Sequence, residues 1–168
     1  NSSGVDTTHV KVLPGVSTGS AMIAVDDAAE NCIIVSPGAN GRLSAEDVSS
    51  ADAFFDTADS SSVLTLCLEV SLEAVKAAAR EAHERGATVV LNVSPYAKVG
   101  ADLLDLVDVL VVNAHELADL TGQPDFDPLG DWSGVVQATR AAMGESGHRI
   151  AVVTRAAQQA RPPATAAP

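Results

Sequence analysis

Residues 107–122 read VDVLVVNAHELADLTG, a short apolar run that changes at Asn113 into a helical pattern. The β-branched and apolar side chains before Asn113 are typical of a strand buried on both faces, as in parallel sheets. Glu116 follows Asn113 at the spacing of a capping box, in which each side chain accepts a backbone N–H at the start of a helix. Gly122 lies where helices commonly end. The stretch therefore predicts a strand followed directly by a helix, the unit of an α/β fold.

The junction at Asn113 allows two interpretations. A helix N-terminus at the carboxyl end of a parallel strand has unpaired N–H groups and the positive end of the helix dipole, which together favour phosphate. Asn113 and Glu116 can equally do no more than cap the helix, since this pair of side chains serves that purpose without any ligand. The spacing alone leaves both a phosphate site and a structural cap open.

Composition narrows the class of protein. The 168 residues suit one globular domain, with 46% hydrophobic and 19% charged residues. A net charge of −12 argues against general affinity for nucleic acid or anionic membranes, because both require clustered Lys and Arg. The sequence has neither a run long enough for a membrane span nor the pattern of a signal peptide, so we expect a cytoplasmic protein.

Neither the cysteines nor the aspartate cluster predicts a metal site. Cys32 and Cys67 are too few and too far apart for a disulfide framework or a zinc site, and their apolar surroundings predict buried free thiols. Asp125, Asp127 and Asp131 lack the Gly and the closing Glu of a calcium loop, so we expect an exposed turn there.

Two apolar runs near the start of the chain predict a β-hairpin. Residues 21–25 and 32–35 flank a polar stretch, as two antiparallel strands flank a turn. From the residues alone, such a hairpin is a plain sheet edge, a part of the core or an interface. The alternation of Val10 and Val12 around Lys11 also predicts a half-exposed strand ahead of the hairpin.

Strands and helices then alternate along the chain. Ser44 and Asp47 open a helix at capping-box spacing, and the serines at 60–62 mark its end. The other predicted elements are a strand over 63–68, a helix from Ser71 to Gly86, a strand over 88–93, a helix over 101–107, a helix over 135–143 and a strand over 150–154. Strand, helix and strand in this order predict a βαβ unit and a parallel sheet.

Glu69 is the first charged residue after the apolar run that begins at Val63. A carboxylate at the end of a parallel strand points into the crevice where α/β proteins bind ligands. It can also be a solvated side chain at a strand end, and the sequence supports both interpretations about equally.

Taken together, these motifs resemble the ribokinase-like (PfkB) carbohydrate kinases. The resemblance rests on VDVLVVNAHELADLTG, on LNVSPYA at 91–97, and on GVDTTHV, STGSAMIAVD, EN and PGAN around the hairpin. It implies a three-layer α/β fold, a mostly parallel sheet flanked by helices with a small β-sheet lid. Residues 1–40 would form the lid region and 41–154 part of the α/β core, while 155–168, rich in Ala, Gln and Pro, is predicted to be a disordered tail.

The resemblance also implies a substrate site and partners. The residues implied to contact the sugar are Glu69, Ala21 and Ile23, and those implied to face ATP and its Mg²⁺ are Asn113 and Thr154 for the nucleotide and Glu116 for the metal. The implied small-molecule partners are ATP and a sugar, with ribose as the first choice. Lid sheets in this family often pair between subunits, so a homodimer is implied as well.

The family's catalytic Asp lies in a Gly-Ala-Gly-Asp motif that does not occur in these 168 residues, and neither do the glycine pair and Asn that hold the sugar. We therefore expect part of an ATP-dependent sugar kinase, without turnover on its own. An altered reading frame after Thr154 would explain the change of composition there. The alternative is a non-catalytic remnant, or a module that binds sugar or dimerises. A dinucleotide-binding oxidoreductase is disfavoured, because no G-x-G-x-x-G follows a strand.

Overall fold

A computed structural model describes residues 3–4, 7–28, 30–123, 130–144 and 149–154. The predicted turn residues Asp125 and Asp127 and the predicted tail over 155–168 lie outside these ranges. The strands are β1 (Ser20–Val25), β2 (Asn31–Ser36), β3 (Val63–Leu66), β4 (Thr88–Asn92), β5 (Val109–Asn113) and β6 (Ile150–Thr154). The helices are α1 (Ala45–Ser49), α2 (Asp52–Phe55), α3 (Leu72–Glu84), α4 (Ala101–Leu104), α5 (Ala114–Thr121) and α6 (Ser133–Met143), with a 3₁₀ turn over Asn40–Arg42.

The predicted hairpin is confirmed as a separate two-stranded sheet. β1 pairs antiparallel with β2, so that Ala21 lies opposite Val35 and Ile23 opposite Ile33. In the turn, Asp26 Oδ1 accepts the backbone N–H groups of Ala28 and Glu30 at 2.9 Å. Every residue of both strands is exposed, including the large apolar ones.

The two ends of the hairpin approach each other closely at Gly38. Gly38 has φ +51°, and a Cβ there would lie 2.4 Å from the carbonyl oxygen of Ser17. The next residue, Ala39, donates its N–H to that same oxygen at 2.9 Å. Glycine is required because a side chain would both strain the backbone and clash with the carbonyl oxygen of Ser17.

The second sheet has the strand order β3-β4-β5-β6, and all its pairs are parallel, as predicted. Leu66, Leu91, Leu110 and Ala151 lie side by side across it. The hydrophobic core centres on β4 and β5, where Val89, Leu91, Leu110 and Val112 are fully buried. Helix α3 contributes Val75, Ala79 and Ala82 to this core, α4 contributes Leu103 and Leu104, α5 contributes Leu117, and α6 contributes Val135 and Met143. The fold is therefore an α/β sheet flanked by helices, with the small antiparallel sheet outside the core.

Burial at the sheet edges differs from prediction. The apolar run that begins at Val63 is typical of a buried strand, yet the residues of β3 alternate between exposed and half-buried because β3 is an edge strand of the described sheet. The predicted burial of both cysteines is also wrong, since the free thiols of Cys32 and Cys67 are exposed. Cys32 lies on the uncovered hairpin and Cys67 just beyond the end of β3.

Two predicted elements before β3 are shorter or absent. The structure has no strand over residues 7–13, all of which are described, because the apolar alternation there has no partner strand. The single helix expected from Ser44 is divided into α1 and α2, which end at Ser49 and Phe55. Serine explains the interruption, since its hydroxyl competes with helical hydrogen bonding. Among the described helices, none has both the length and the apolarity that crossing a bilayer requires.

The start of α1 is pH-sensitive through Asp47. Its carboxylate forms an ion pair with Lys11 and accepts the N–H and hydroxyl of Ser44 at 2.9 Å. Lys11, followed by these bonds from Ser44, lowers the pKa of Asp47 to about 2 from the ordinary 3.8. Since the pKa is lower in the folded state than in the unfolded chain, the carboxylate stabilises the fold above about pH 4 and this stabilisation is lost as the pH falls towards 2.

We expect Asp47→Asn to destabilise the protein at pH 6, with the difference from wild type shrinking between pH 4 and pH 2. Urea unfolding followed by circular dichroism at several pH values measures this difference. In a Lys11→Gln background the same substitution should cost less, because the main partner of the carboxylate is gone. A difference that stays constant from pH 6 to pH 2 would contradict the assignment.

Candidate functional site at the carboxyl edge of the sheet

The predicted capping box is present at the end of β5. Asn113 Oδ1 accepts the N–H of Glu116 at 2.8 Å, and Glu116 Oε2 accepts the N–H of Asn113 at 2.7 Å. Glu116 is buried and Asn113 is exposed. Gly122 ends the helix, as predicted, and with φ +66° it has the left-handed conformation that glycine adopts readily. The box leaves Asn113 Nδ2 and Glu116 Oε1 outside its own hydrogen bonds, so both could contact a ligand.

Thr154 lies beside this box. It is the last residue of β6 and pairs in register with Asn113, the last residue of β5. Its hydroxyl is within 3.4 Å of the carbonyl oxygen of Val112, a long hydrogen bond that can be exchanged for a ligand. The structure therefore brings together Asn113, Glu116 and Thr154, the three residues implied to face ATP and its metal.

Glu69 lies at the same edge, beyond the end of β3. Its loop is attached to the next loop by the Leu68 N–H, which donates to the Ser94 carbonyl oxygen at 3.1 Å. Glu69 is exposed, and no described residue forms a hydrogen bond or ion pair with its carboxylate. β4 separates β3 from β5, so two interstrand spacings, about 10 Å, lie between the Glu69 loop and the capping box.

The implied lid residues share one face of the hairpin. Ala21 and Ile23 alternate along β1, and their partners Val35 and Ile33 stand beside them on β2. Ile23 is 59% exposed, so nothing in the described chain covers this apolar face. The hairpin thus carries an uncovered apolar face apart from the sheet edge that holds Glu69.

The donor set at the capping box is compatible with magnesium carried by a nucleotide. Mg²⁺ commonly takes one or two protein carboxylates and completes its shell with water and substrate phosphates. Glu116 Oε1 offers one such oxygen. The described residues contain no group of three or more His, Cys, Asp or Glu side chains placed to hold an ion. Glu116 could therefore supply one ligand to a metal that arrives with phosphate.

The bond between Leu68 and Ser94 was not predicted. It joins backbone atoms of two loops that are far apart in sequence, and backbone contacts of this kind leave no signal in side-chain patterns. The position of Asn113 beside Thr154 follows instead from strand register, which the two apolar runs and their polar ends indicate only approximately.

Comparison with known proteins identifies the family. A family model, pfkB family carbohydrate kinase, matches residues 1–161, a range that includes the first residues of the predicted tail. The ribokinase of Schizosaccharomyces pombe is 37% identical over 122 residues, which make up 73% of this chain and 37% of that enzyme. The chain thus spans well under half the length of this relative.

Solved structures show the same fold. The ribokinase of Giardia lamblia superposes with a TM-score of 0.68 at 23% identity, over 85% of this chain and 44% of that protein. The Arabidopsis thaliana ribokinase complexed with ribose and ATP gives a TM-score of 0.60 at 22% identity, over 84% of this chain and 43% of that protein. With the family model matched over nearly all of its length, the chain belongs to the pfkB family of carbohydrate kinases.

Proposed function

We propose that this chain is part of a kinase that transfers the γ-phosphate of ATP to a hydroxyl of a sugar, with ribose as the first candidate. The observation that carries the proposal is the meeting of Asn113, Glu116 and Thr154 at the carboxyl ends of two adjacent parallel strands. Crevices at this edge are where open α/β sheets bind ligands. Family membership supplies the reaction class, and the Arabidopsis relative contains ribose and ATP.

On the phosphate side, α5 and its cap provide the binding groups. The N-terminus of α5 presents backbone N–H groups and a positive dipole end, and Asn113 adds a side-chain donor. The Thr154 hydroxyl adds another donor from the neighbouring strand. Magnesium bound with ATP would neutralise phosphate charge, and Glu116 is the residue that would hold it. Because Glu116 is fixed by the capping box, its carboxylate needs no reorganisation to do so.

On the sugar side, Glu69 orients the substrate. A carboxylate with no partner in the described chain can accept two sugar hydroxyls, and charged hydrogen bonds give both affinity and direction. The separation of about 10 Å from the capping box leaves room for a sugar and the phosphoryl group that it receives. Ala21 and Ile23 of the hairpin would close over the sugar and exclude water.

The experiment that tests the proposal is titration of the purified chain with D-ribose in a calorimeter. We expect wild type to bind ribose and Glu69→Gln to bind at least about tenfold more weakly, since the amide loses the charge and one acceptor. Glu73→Gln is the matched control, because Glu73 is an exposed carboxylate on the first turn of α3. Absence of ribose binding by wild type, or equal affinity of the two variants, would refute the role of Glu69.

Turnover by the same purified chain is a separate question, which is answered by measuring the release of ADP. The general base of the family lies in the Gly-Ala-Gly-Asp motif, which these residues do not include. Ribose-dependent release of ADP by the 168-residue chain should therefore remain at the background rate. A rate above background would show that another group accepts the hydroxyl proton.

A non-catalytic, dimerising module is the second candidate function, and the exposed hairpin favours it. Met22 and Ile34 lie opposite each other in register and are 70% and 65% exposed. An apolar sheet that faces solvent in an isolated chain is typical of an interaction surface. We propose that a second copy of the chain covers it, which places the lid at the subunit interface.

Sedimentation analysis should show wild type at about twice its 17.1 kDa mass, and Met22→Lys/Ile34→Lys as a monomer, because two buried ammonium groups would oppose pairing. Val136→Lys on α6, which is 41% exposed in wild type, controls for added charge and should leave the dimer intact. A monomeric wild type would reject the hairpin as the contact.

A further inference from the structure

Hydrogen bonds connect the base of the hairpin to the loop that carries Glu69. Ala39 donates its N–H to the carbonyl oxygen of Ser17, and the chain then runs through one 3₁₀ turn to Leu43. The carbonyl oxygen of Leu43 accepts the hydroxyl of Ser71. Ser71 follows Glu69 by two residues and immediately precedes α3, so the segment between the hairpin and α1 is held against the end of the Glu69 loop.

Ser71 forms two hydrogen bonds of different kinds. Its Oγ accepts the N–H of Ala74 at 3.2 Å and so caps α3, which is the role that the sequence predicts. Its hydroxyl proton goes to Leu43, which is 28 residues away in sequence. A hydroxyl can donate and accept at once, whereas capping a helix requires only the accepting oxygen. The second bond is therefore not explained by capping.

A hydrogen bond holds the Glu69 loop in place on each side of Glu69. Leu68 donates to Ser94 in the neighbouring loop at 3.1 Å, and Ser71 donates to Leu43 below the hairpin. The carboxylate between these bonds has no partner in the described part of the chain. Of the two hydrogen bonds, the one from Ser71 is the one that connects this loop to the segment following the hairpin.

We propose that Ser71 is a positioning residue that couples the hairpin to the Glu69 loop, so that the apolar lid and the carboxylate respond together when a sugar binds. The meaning of this coupling for catalysis depends on the proposed function, in which both parts contact the sugar. The coupling itself is a property of the unliganded chain and can be measured without a ligand.

Three substitutions separate the two bonds of Ser71. Ser71→Thr keeps a hydroxyl and both bonds. Ser71→Asp keeps an acceptor for the cap but has no proton to donate at neutral pH, so it removes only the bond to Leu43. Ser71→Ala removes both bonds.

Amide hydrogen exchange of the unliganded proteins reports the coupling. In Ser71→Asp we expect exchange over 37–43 and 67–70 to rise roughly fivefold, the effect of one lost hydrogen bond, while the first turn of α3 keeps its wild-type rate. Ser71→Ala should raise exchange in all three segments and Ser71→Thr in none. Equal exchange in Ser71→Asp and Ser71→Thr over 37–43 and 67–70 would overturn the proposal. So would a rise that disappears in 1 M NaCl, since that would come from the added charge.

Amide hydrogen exchange measured with and without D-ribose distinguishes a failure of this proposal from a failure of the proposed function. In wild type and Ser71→Thr, ribose should slow exchange over 67–70 and over the hairpin together. In Ser71→Asp it should slow 67–70 as in wild type, but slow the hairpin less than in wild type. If ribose slows exchange nowhere in wild type, the proposed function fails, and the unliganded comparison still decides the role of Ser71. Equal slowing of the hairpin in Ser71→Asp and wild type would overturn the coupling.

Discussion

Replacing Leu110 with alanine is expected to lower the free energy of unfolding by about 3 kcal/mol. Leu110 is fully buried in β5, between Leu91 on β4 and Ala151 on β6. The truncation loses the transfer free energy of the removed methyl groups and leaves a cavity. Because paired strands on both sides hold the surrounding backbone in place, the cavity cannot collapse. Urea unfolding followed by far-UV circular dichroism measures the loss.

The control for this prediction is Val152→Ala. Val152 lies on β6, an edge strand, and its side chain is 43% exposed. Its truncation removes little buried surface, so we expect a loss below about 1 kcal/mol. Equal losses in the two variants would mean that β5 is not the centre of the core.

Arg149→Met is expected to lower the free energy of unfolding by about 2 kcal/mol, because Arg149 donates hydrogen bonds to the C-terminal ends of two helices. Its guanidinium donates to the carbonyl oxygen of Met143, the last residue of α6, and at 2.7 Å to that of Asp105, which caps α4. Its side chain is only 13% exposed. Methionine fills similar volume but donates no hydrogen bond, so both carbonyl groups lose a charged donor where the helix dipoles favour one.

Arg149→Lys is the matched variant for this site. A single ammonium group keeps the charge but cannot reproduce the planar fork that reaches both carbonyl groups, so we expect about half of the loss. Thermal unfolding of the three proteins should therefore rank wild type above Arg149→Lys and Arg149→Lys above Arg149→Met. A lysine variant as unstable as the methionine variant would show that the fork, and not the charge, supplies the stability.

The elements that sequence predicted best are those whose signals are local. Asn113, Glu116 and Gly122 specify both ends of α5 within ten residues of chain, and the structure reproduces both ends. The buried face of α3 follows from helical spacing alone, and Val75, Ala79 and Ala82 lie in the core as that spacing indicates. Capping and periodicity act over one or two turns, so they can be recognised without knowledge of the fold.

Features that depend on distant parts of the chain could not be predicted. The exposure of β3 and of Cys67 depends on which strand lies at the sheet edge. A short apolar run in the sequence does not show whether its strand lies at the edge or in the centre of the sheet. The alternation around Lys11 forms no strand, because a strand requires a partner. At the candidate site, the cap was predicted from spacing, whereas the bond from Ser71 to Leu43 joins residues whose proximity only the folded chain creates.

The close contact at the base of the hairpin makes the hairpin a separate module. Ser17 and Gly38 bring the two ends of the hairpin together at one point, and none of the described residues between them contributes to the hydrophobic core. Substitutions in the hairpin can therefore change its exposed surface without loosening the parallel sheet. In evolutionary terms, the hairpin can diverge while the rest of the domain stays under selection for stability, and the same separation allows a hairpin from one relative to be grafted onto the core of another.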